Sequence, residues 1–164
     1  MLIVALLIVW YNLGLLHSIL SGAPYVATPT KDITTILELA DISSHSVVYE
    51  LGSGDGKLVI ATAQAGAQHV YGIEINTFLV WWSRYKIARL RLRNATIVRG
   101  NILHTSFADA TVVILYILPG LMKRLEPKLR AELKPGTIII SKGFPLHGWT
   151  PTAHKNGIFQ YVVR

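Results

Sequence analysis

Val47-Val48-Tyr49-Glu50-Leu51-Gly52-Ser53-Gly54-Asp55-Gly56 is a strand-favouring apolar run that ends in three alternate glycines. Valine and tyrosine suit a pleated, buried strand. The glycines let the backbone approach a ligand where a Cβ would collide. Behind them, Lys57-Leu58-Val59-Ile60-Ala61-Thr62-Ala63 can begin a helix. Val70-Tyr71-Gly72-Ile73-Glu74-Ile75 then reads as a second strand carrying an acid near its end. Strand, glycine turn, helix, strand and acid together point to a nucleoside-binding βαβ unit. Glu74 lies about 20 residues past the turn, where a carboxylate can accept hydrogen bonds from ribose hydroxyls.

The spacing narrows the ligand. A dinucleotide fingerprint is G-x-G-x-x-G, with a helix N-terminus free for pyrophosphate. Here the glycines stand at 52, 54 and 56, with Glu50 before them and Asp55 among them. Two carboxylates would repel a pyrophosphate. They suit a ligand with hydroxyls and a cationic or ammonium end. Glu50-Leu51-Gly52-Ser53-Gly54-Asp55-Gly56 resembles the first motif of the class I S-adenosylmethionine-dependent methyltransferases. That resemblance implies S-adenosylmethionine as cofactor, with Glu50 near the methionine moiety and Glu74 on the ribose. It places Ser53, Ile75 and Asn101 with the glycines and Asp55 around the same ligand. Aspartate is more usual at the position of Asn101.

The rest of the chain alternates between helix and strand patterns. Gly22-Ala23-Pro24-Tyr25-Val26-Ala27-Thr28-Pro29 is a turn-rich linker. Thr30 or Asp32 is expected to cap the next helix, whose inner stripe is Ile33, Ile36, Leu37 and Ala40. Asn76 is expected to N-cap a helix from 77 to about 93, with Phe78, Trp81, Trp82, Tyr85, Ala88 and Leu92 inside. Lys86, Arg89 and Arg93 share its outer face. Further strands are expected at 95–99, 112–118 and 137–141, the second of them buried on both sides. Residues 121–133 form an amphipathic helix stopped by Lys134-Pro135-Gly136. Residues 149–154 and 158–163 make a hairpin around Asn156-Gly157. The expected fold is α/β: a Rossmann-like, seven-stranded methyltransferase sheet, mostly parallel, with a C-terminal antiparallel hairpin and an N-terminal apolar helix. The expected divisions are an apolar segment at 1–20, a linker at 21–30 and the methyltransferase domain at 31–164.

Composition bounds the setting. The chain has 164 residues, 51% of them hydrophobic, and a mean hydropathy of +0.42. Residues 2–20 hold no charge, and a bilayer-spanning helix needs at least about 17 apolar residues. A membrane anchor is expected there; a buried helix of the domain is the alternative. All 16 Lys and Arg follow Leu20, and the net charge is +7. That balance favours anionic headgroups, with nucleic acid the other usual partner of such charge, and a cytoplasmic catalytic domain, or a matrix one in a mitochondrion. With no Cys and six scattered His, no metal site is expected; His147 and His154 are the two to inspect.

The end of the fourth strand should face the transferred methyl group. It reads Tyr116-Ile117-Leu118-Pro119. The D/N/S-P-P-aromatic signature common in nucleic-acid amino-methyltransferases is absent, so a nucleic-acid partner is not expected. Together with Gly22–Pro29, the segments Val80-Trp81-Trp82-Ser83-Arg84 and Ser141-Lys142-Gly143-Phe144-Pro145-Leu146-His147-Gly148-Trp149 resemble a narrower group. These are short protein-lysine methyltransferases of the type that modifies the c-subunit of ATP synthase and the adenine nucleotide carrier, with archaeal and bacterial relatives. The resemblance implies an acceptor lysine on a membrane-embedded protein. Tyr116 and Tyr25 are the candidate walls of the acceptor channel, and Phe144 is a third. A small-molecule or lipid methyltransferase at the membrane is the first alternative, and a non-enzymatic nucleoside-binding module the second.

Overall fold

The computed structural model describes Val9, Asn12 and residues 26–164. The elements run α1 (Thr30–Ala40), β1 (Val47–Leu51), α2 (Lys57–Gln64), β2 (His69–Glu74), α3 (Thr77–Arg89), β3 (Ala95–Arg99), β4 (Val112–Leu115), α4 (Pro119–Glu132), β5 (Ile138–Lys142), β6 (Ala153–Lys155) and β7 (Ile158–Val162). Seven strands form one sheet in the order β3-β2-β1-β4-β5-β7-β6. The first five are parallel. β7 enters antiparallel between β5 and β6. The order reverses between β1 and β4, and ligands bind at such switch points, beyond the C-terminal strand ends.

Strand alternation sends side chains to two helical layers. Val48, Val70, Val112, Ile114 and Ile140 pack with Ile33 and Ile36 of α1, Val59 of α2, and Val80 and Ile87 of α3. Leu51, Ile73, Val113, Leu115 and Ile139 face the other way, onto Leu121, Leu125 and Leu129 of α4. All four residues of β4 are buried, as expected of a central strand covered on both faces.

Several local expectations are corrected. The helix at α1 is preceded by Pro29 and has no side-chain cap. Thr30 Oγ1 instead accepts from Lys57 Nζ at 3.0 Å, and Asp32 pairs with Lys142 at 3.0 Å. Fourth-strand pairing stops at Leu115, and Pro119 opens α4 after an extended Leu118. Helix α3 ends at Arg89, a turn early, with Arg91 in the left-handed region at φ 53°.

The largest correction concerns the inner face of α3. Leu79, Val80, Ser83 and Ile87 are its buried residues. Trp81 is 51% exposed, Trp82 39% and Tyr85 43%; Ala88 is exposed, and Phe78 and Leu92 are half-buried. The reason is steric. A Cβ on Gly56 would come within 2.8 Å of Ser83 Cβ, so α3 crosses the glycine loop at a separation only a small side chain permits. Indole rings on that side would force the helix away.

The apolar segment and Tyr25 lie outside the described residues, Val9 and Asn12 excepted. Among the described residues, no helix is long and apolar enough to cross a membrane.

Candidate functional site

The turn after β1 is built from backbone hydrogen bonds that converge from β2. Gly52 and Ser53 both donate to the Ile73 carbonyl, at 2.9 and 3.0 Å. Glu74 Oε2 accepts from Gly54 N, and Glu74 Oε1 from Asn76 N, each at 2.8 Å. Ser83 Oγ donates to the Gly54 carbonyl at 3.1 Å. Asn76 Oδ1 caps α3 through the Phe78 and Leu79 N–H groups, as expected. Gly52 and Gly56 have φ of 83° and 74°, a region that penalises any residue with a Cβ.

One cavity opens where these elements meet. It is lined by Glu50, Gly52, Ser53, Gly54, Asp55, Glu74, Ile75, Asn101 and Tyr116. Every expected site residue within the described chain is therefore gathered there except Gly56 and Phe144. Gly56 does not line the cavity; it sits behind the loop against Ser83. Tyr25 falls outside the described residues. Phe144 does not reach the cavity; its carbonyl accepts from Ser141 Oγ at 2.6 Å. His147 and His154 are elsewhere: the first donates its N–H to Glu126, the second stacks on Phe159.

Other lining residues come from outside the glycine loop and its acid. Val26 and Thr28 close the cavity from the linker, and Arg124 and Lys142 from α4 and β5. Lys57 Nζ ties the linker down by donating to the Thr28 carbonyl at 3.3 Å. Lys142 Nζ stands 4.4 Å from the centroid of the Tyr116 ring while paired with Asp32. These contacts join residues far apart in sequence, which no periodicity announces.

The electrostatics are those of a site shaped for a cation beside hydroxyls. Burial pushes the Glu50 carboxyl well above its ordinary value; Asp55 and Glu74 push the same way, against the Val59 N–H. Glu50 Oε2 and Ser53 Oγ are buried without a hydrogen-bond partner among the described residues. Burial also raises Glu74, opposed by the Asn76, Gly54 and Ile75 N–H groups. A buried carboxylate lacking a partner is stabilised by an incoming cation. Asp55 is different: its Oδ2 is already paired with Lys86 Nζ at 2.7 Å, and its Oδ1 takes the Lys57 N–H.

Residues 50–153, most of the sheet and all of this cavity from Glu50 onward, match the ANTKMT methyltransferase domain. The chain belongs to the ANTKMT methyltransferase family. It is 38% identical over 133 residues to a protein-lysine N-methyltransferase of Saccharolobus islandicus, covering 78% of this chain and 81% of that one. It is 35% identical over 129 residues to the ATP synthase c-subunit lysine N-methyltransferase of Xenopus laevis, covering 78% of this chain and 56% of that one. It therefore spans only about half the length of that animal relative. Among solved structures it resembles an RNA methyltransferase from Salinibacter ruber in complex with S-adenosyl-L-homocysteine. The TM-score is 0.80 at 34% identity, over 84% of this chain and 94% of that one.

This family member is an S-adenosylmethionine-dependent methyltransferase. The residues present fit that cofactor. Glu50 offers a partnerless buried oxygen to an ammonium, and Glu74 offers lone pairs beyond the two backbone donors it already serves. The Gly52 cradle leaves nothing within 4 Å of where a Cβ would stand.

Proposed function

We propose that this enzyme methylates the side-chain amine of a lysine on a membrane-associated protein. The observation that carries the reading is Tyr116. It stands at the C-terminal end of β4, lines the cavity, and already bears a lysine ammonium on its ring, that of Lys142 at 4.4 Å. An aromatic wall also packs the apolar stem of an acceptor lysine. The lysine N-methyltransferase names of the archaeal and animal relatives support the same acceptor.

S-adenosylmethionine, when bound, supplies an electrophilic methyl group on a sulfonium. The protein's own task is to hold the cofactor and deliver a neutral amine in line. Glu50 takes the methionine ammonium and Glu74 the ribose hydroxyls. Ser53, Gly54 and Ile75 wall the cofactor, and Asn101 holds the adenine side. Asn101 Oδ1 is committed to the Leu103 N–H at 2.9 Å, so its amide nitrogen is the group left to donate. Lys142 disfavours a second cation beside Tyr116, which promotes loss of the substrate lysine's proton to solvent. With S-adenosylmethionine bound, the neutral nitrogen would take its methyl group, and the sulfonium would leave as a neutral thioether.

The membrane setting rests on the uncharged segment at 2–20 and the +7 charge that follows it. Together they favour a membrane-held enzyme with its catalytic domain on the cytoplasmic or matrix side. The Salinibacter ruber neighbour is named as an RNA methyltransferase, which makes RNA the second reading. Labelled S-adenosylmethionine incubated with a membrane fraction and with total RNA separates the possibilities. Methyl-lysine in a protein is the expected product; label confined to lipid or RNA overturns the proposal.

A further inference from the structure

We propose that the outer face of α3 docks on an anionic lipid surface, a contact independent of the acceptor. Trp82, Tyr85 and Arg89 fall at i, i+3 and i+7 and share this face. Trp82 stacks on Tyr85 with centroids 5.6 Å apart, and Trp81 stacks on Tyr85 at 6.1 Å. Arg89 lies over the Tyr85 ring at 5.9 Å and donates to its hydroxyl at 3.2 Å. Leu90, at the end of the helix, is half exposed. The buried side of α3 is filled by smaller residues, and Trp82 and Tyr85 stand exposed away from it.

The charge identifies the partner. Residues 75–108 hold six of the 16 Lys and Arg and no Asp or Glu. Arg89, Arg91 and Arg93 are all exposed. Tryptophan and tyrosine at the headgroup level, flanked by arginine, match the composition that membrane interfaces select. Single-stranded nucleic acid also stacks on aromatic rings. Here, however, the rings stack on one another along a convex helix rather than lining a groove that could track a strand, and Leu90 offers a base nothing to stack on. Helix α3 begins three residues past Glu74 and is clamped to the glycine loop through Ser83. Docking by this face would therefore fix the height of the cofactor cavity above the bilayer.

The chain has no cysteine, so one nitroxide can be placed cleanly on exposed Ala88 through Ala88→Cys. Lys134→Cys, on the α4 layer, serves as reference. The full chain is bound to vesicles of phosphatidylcholine with phosphatidylglycerol. Relaxation by oxygen is then compared with relaxation by a water-soluble nickel complex. The expected result is an oxygen-favoured label at 88 and an aqueous label at 134. This depth reading decides the matter whichever other segment holds the protein on the vesicle, and a cofactor titration confirms that both variants are folded. Arg89→Gln should in addition weaken binding to anionic vesicles by roughly fivefold. A label at 88 as aqueous as that at 134 on vesicle-bound protein overturns the proposal. So does failure to bind anionic vesicles, or immobilisation of that label by a single-stranded RNA instead.

Discussion

Glu74 Oε2 accepts the backbone N–H of Gly54 at 2.8 Å, across 20 residues of chain. The acid expected to serve a ribose therefore also shapes the loop on which the cofactor lies. Its second oxygen holds Asn76 at the start of α3, so one carboxylate sets the geometry of both walls.

Glu74→Ala should lose ribose contacts and leave the Gly54 and Asn76 N–H groups unserved. Hydrogen bonds to a charged acceptor contribute roughly 1.5–3 kcal/mol each. Calorimetric affinity for S-adenosylmethionine is expected to fall at least about tenfold. A folded variant with wild-type affinity would remove Glu74 from the site.

Gly52→Ala and Gly56→Ala should fail in different ways. Both place a Cβ at positive φ, a strain of about 1–2 kcal/mol. At Gly56 the new atom also meets Ser83 Cβ at 2.8 Å, so the main loss should appear in denaturant-unfolding stability. At Gly52 nothing stands within 4 Å. The Cβ there enters the cavity, and the larger loss should be in cofactor affinity.

The raised Glu50 carboxyl fixes the sign of two pH effects. Its folded value lies well above the ordinary 4.5. Between those values the folded state holds a proton that the unfolded state has lost, so apo stability declines as pH rises from 4.5 through the folded value. Glu50→Gln should abolish this component, leaving a flatter profile of melting temperature against pH. A bound cationic group favours the ionised acid. Cofactor affinity of the wild type should therefore strengthen as pH rises through the same window, with proton release measurable by calorimetry in buffers of different ionisation enthalpy.

Tyr116→Ala is expected to lower kcat by far more than it weakens cofactor binding, because its contact is with the acceptor. Lys142→Gln removes the fixed cation beside that ring. The rising limb of kcat against pH should then move to higher pH, since the bound substrate amine regains its ordinary basicity. An unmoved limb would leave Lys142 a structural partner of Asp32 only.

Deletion of residues 1–20 should preserve S-adenosylmethionine binding, because every described cavity residue lies at Val26 or later. The shortened chain is expected to leave the membrane fraction more readily than the full chain. Failure of the shortened chain to fold, with a full chain that needs no lipid, would make that segment a core helix.

The strand–turn–helix of Glu50 to Gly56, the acid at Glu74 and the cap at Asn76 were legible because each is a local pattern. Glycine at fixed offsets, an acid at the end of a strand and an asparagine before a helix each constrain the backbone within a few residues. The aromatic run of α3 misled for a complementary reason. Periodicity separates two faces of a helix but does not say which is buried, and the bulkier face is a natural choice. The approach of Gly56 to Ser83 reverses it.

Short-range propensity and spacing were enough to specify an α/β sheet with a hairpin at its end, the cofactor loop, and the carboxylates around it. It took the packed fold to establish that Lys142 reaches Asp32 and the Tyr116 ring. The same packing sets Val26 and Thr28 over the cavity and turns Trp82 and Tyr85 outward. Those outcomes depend on which strands become neighbours. Strand order brings β5 next to β4 and α1 beside it, joining residues whose separation in the chain carries no local energetic signature.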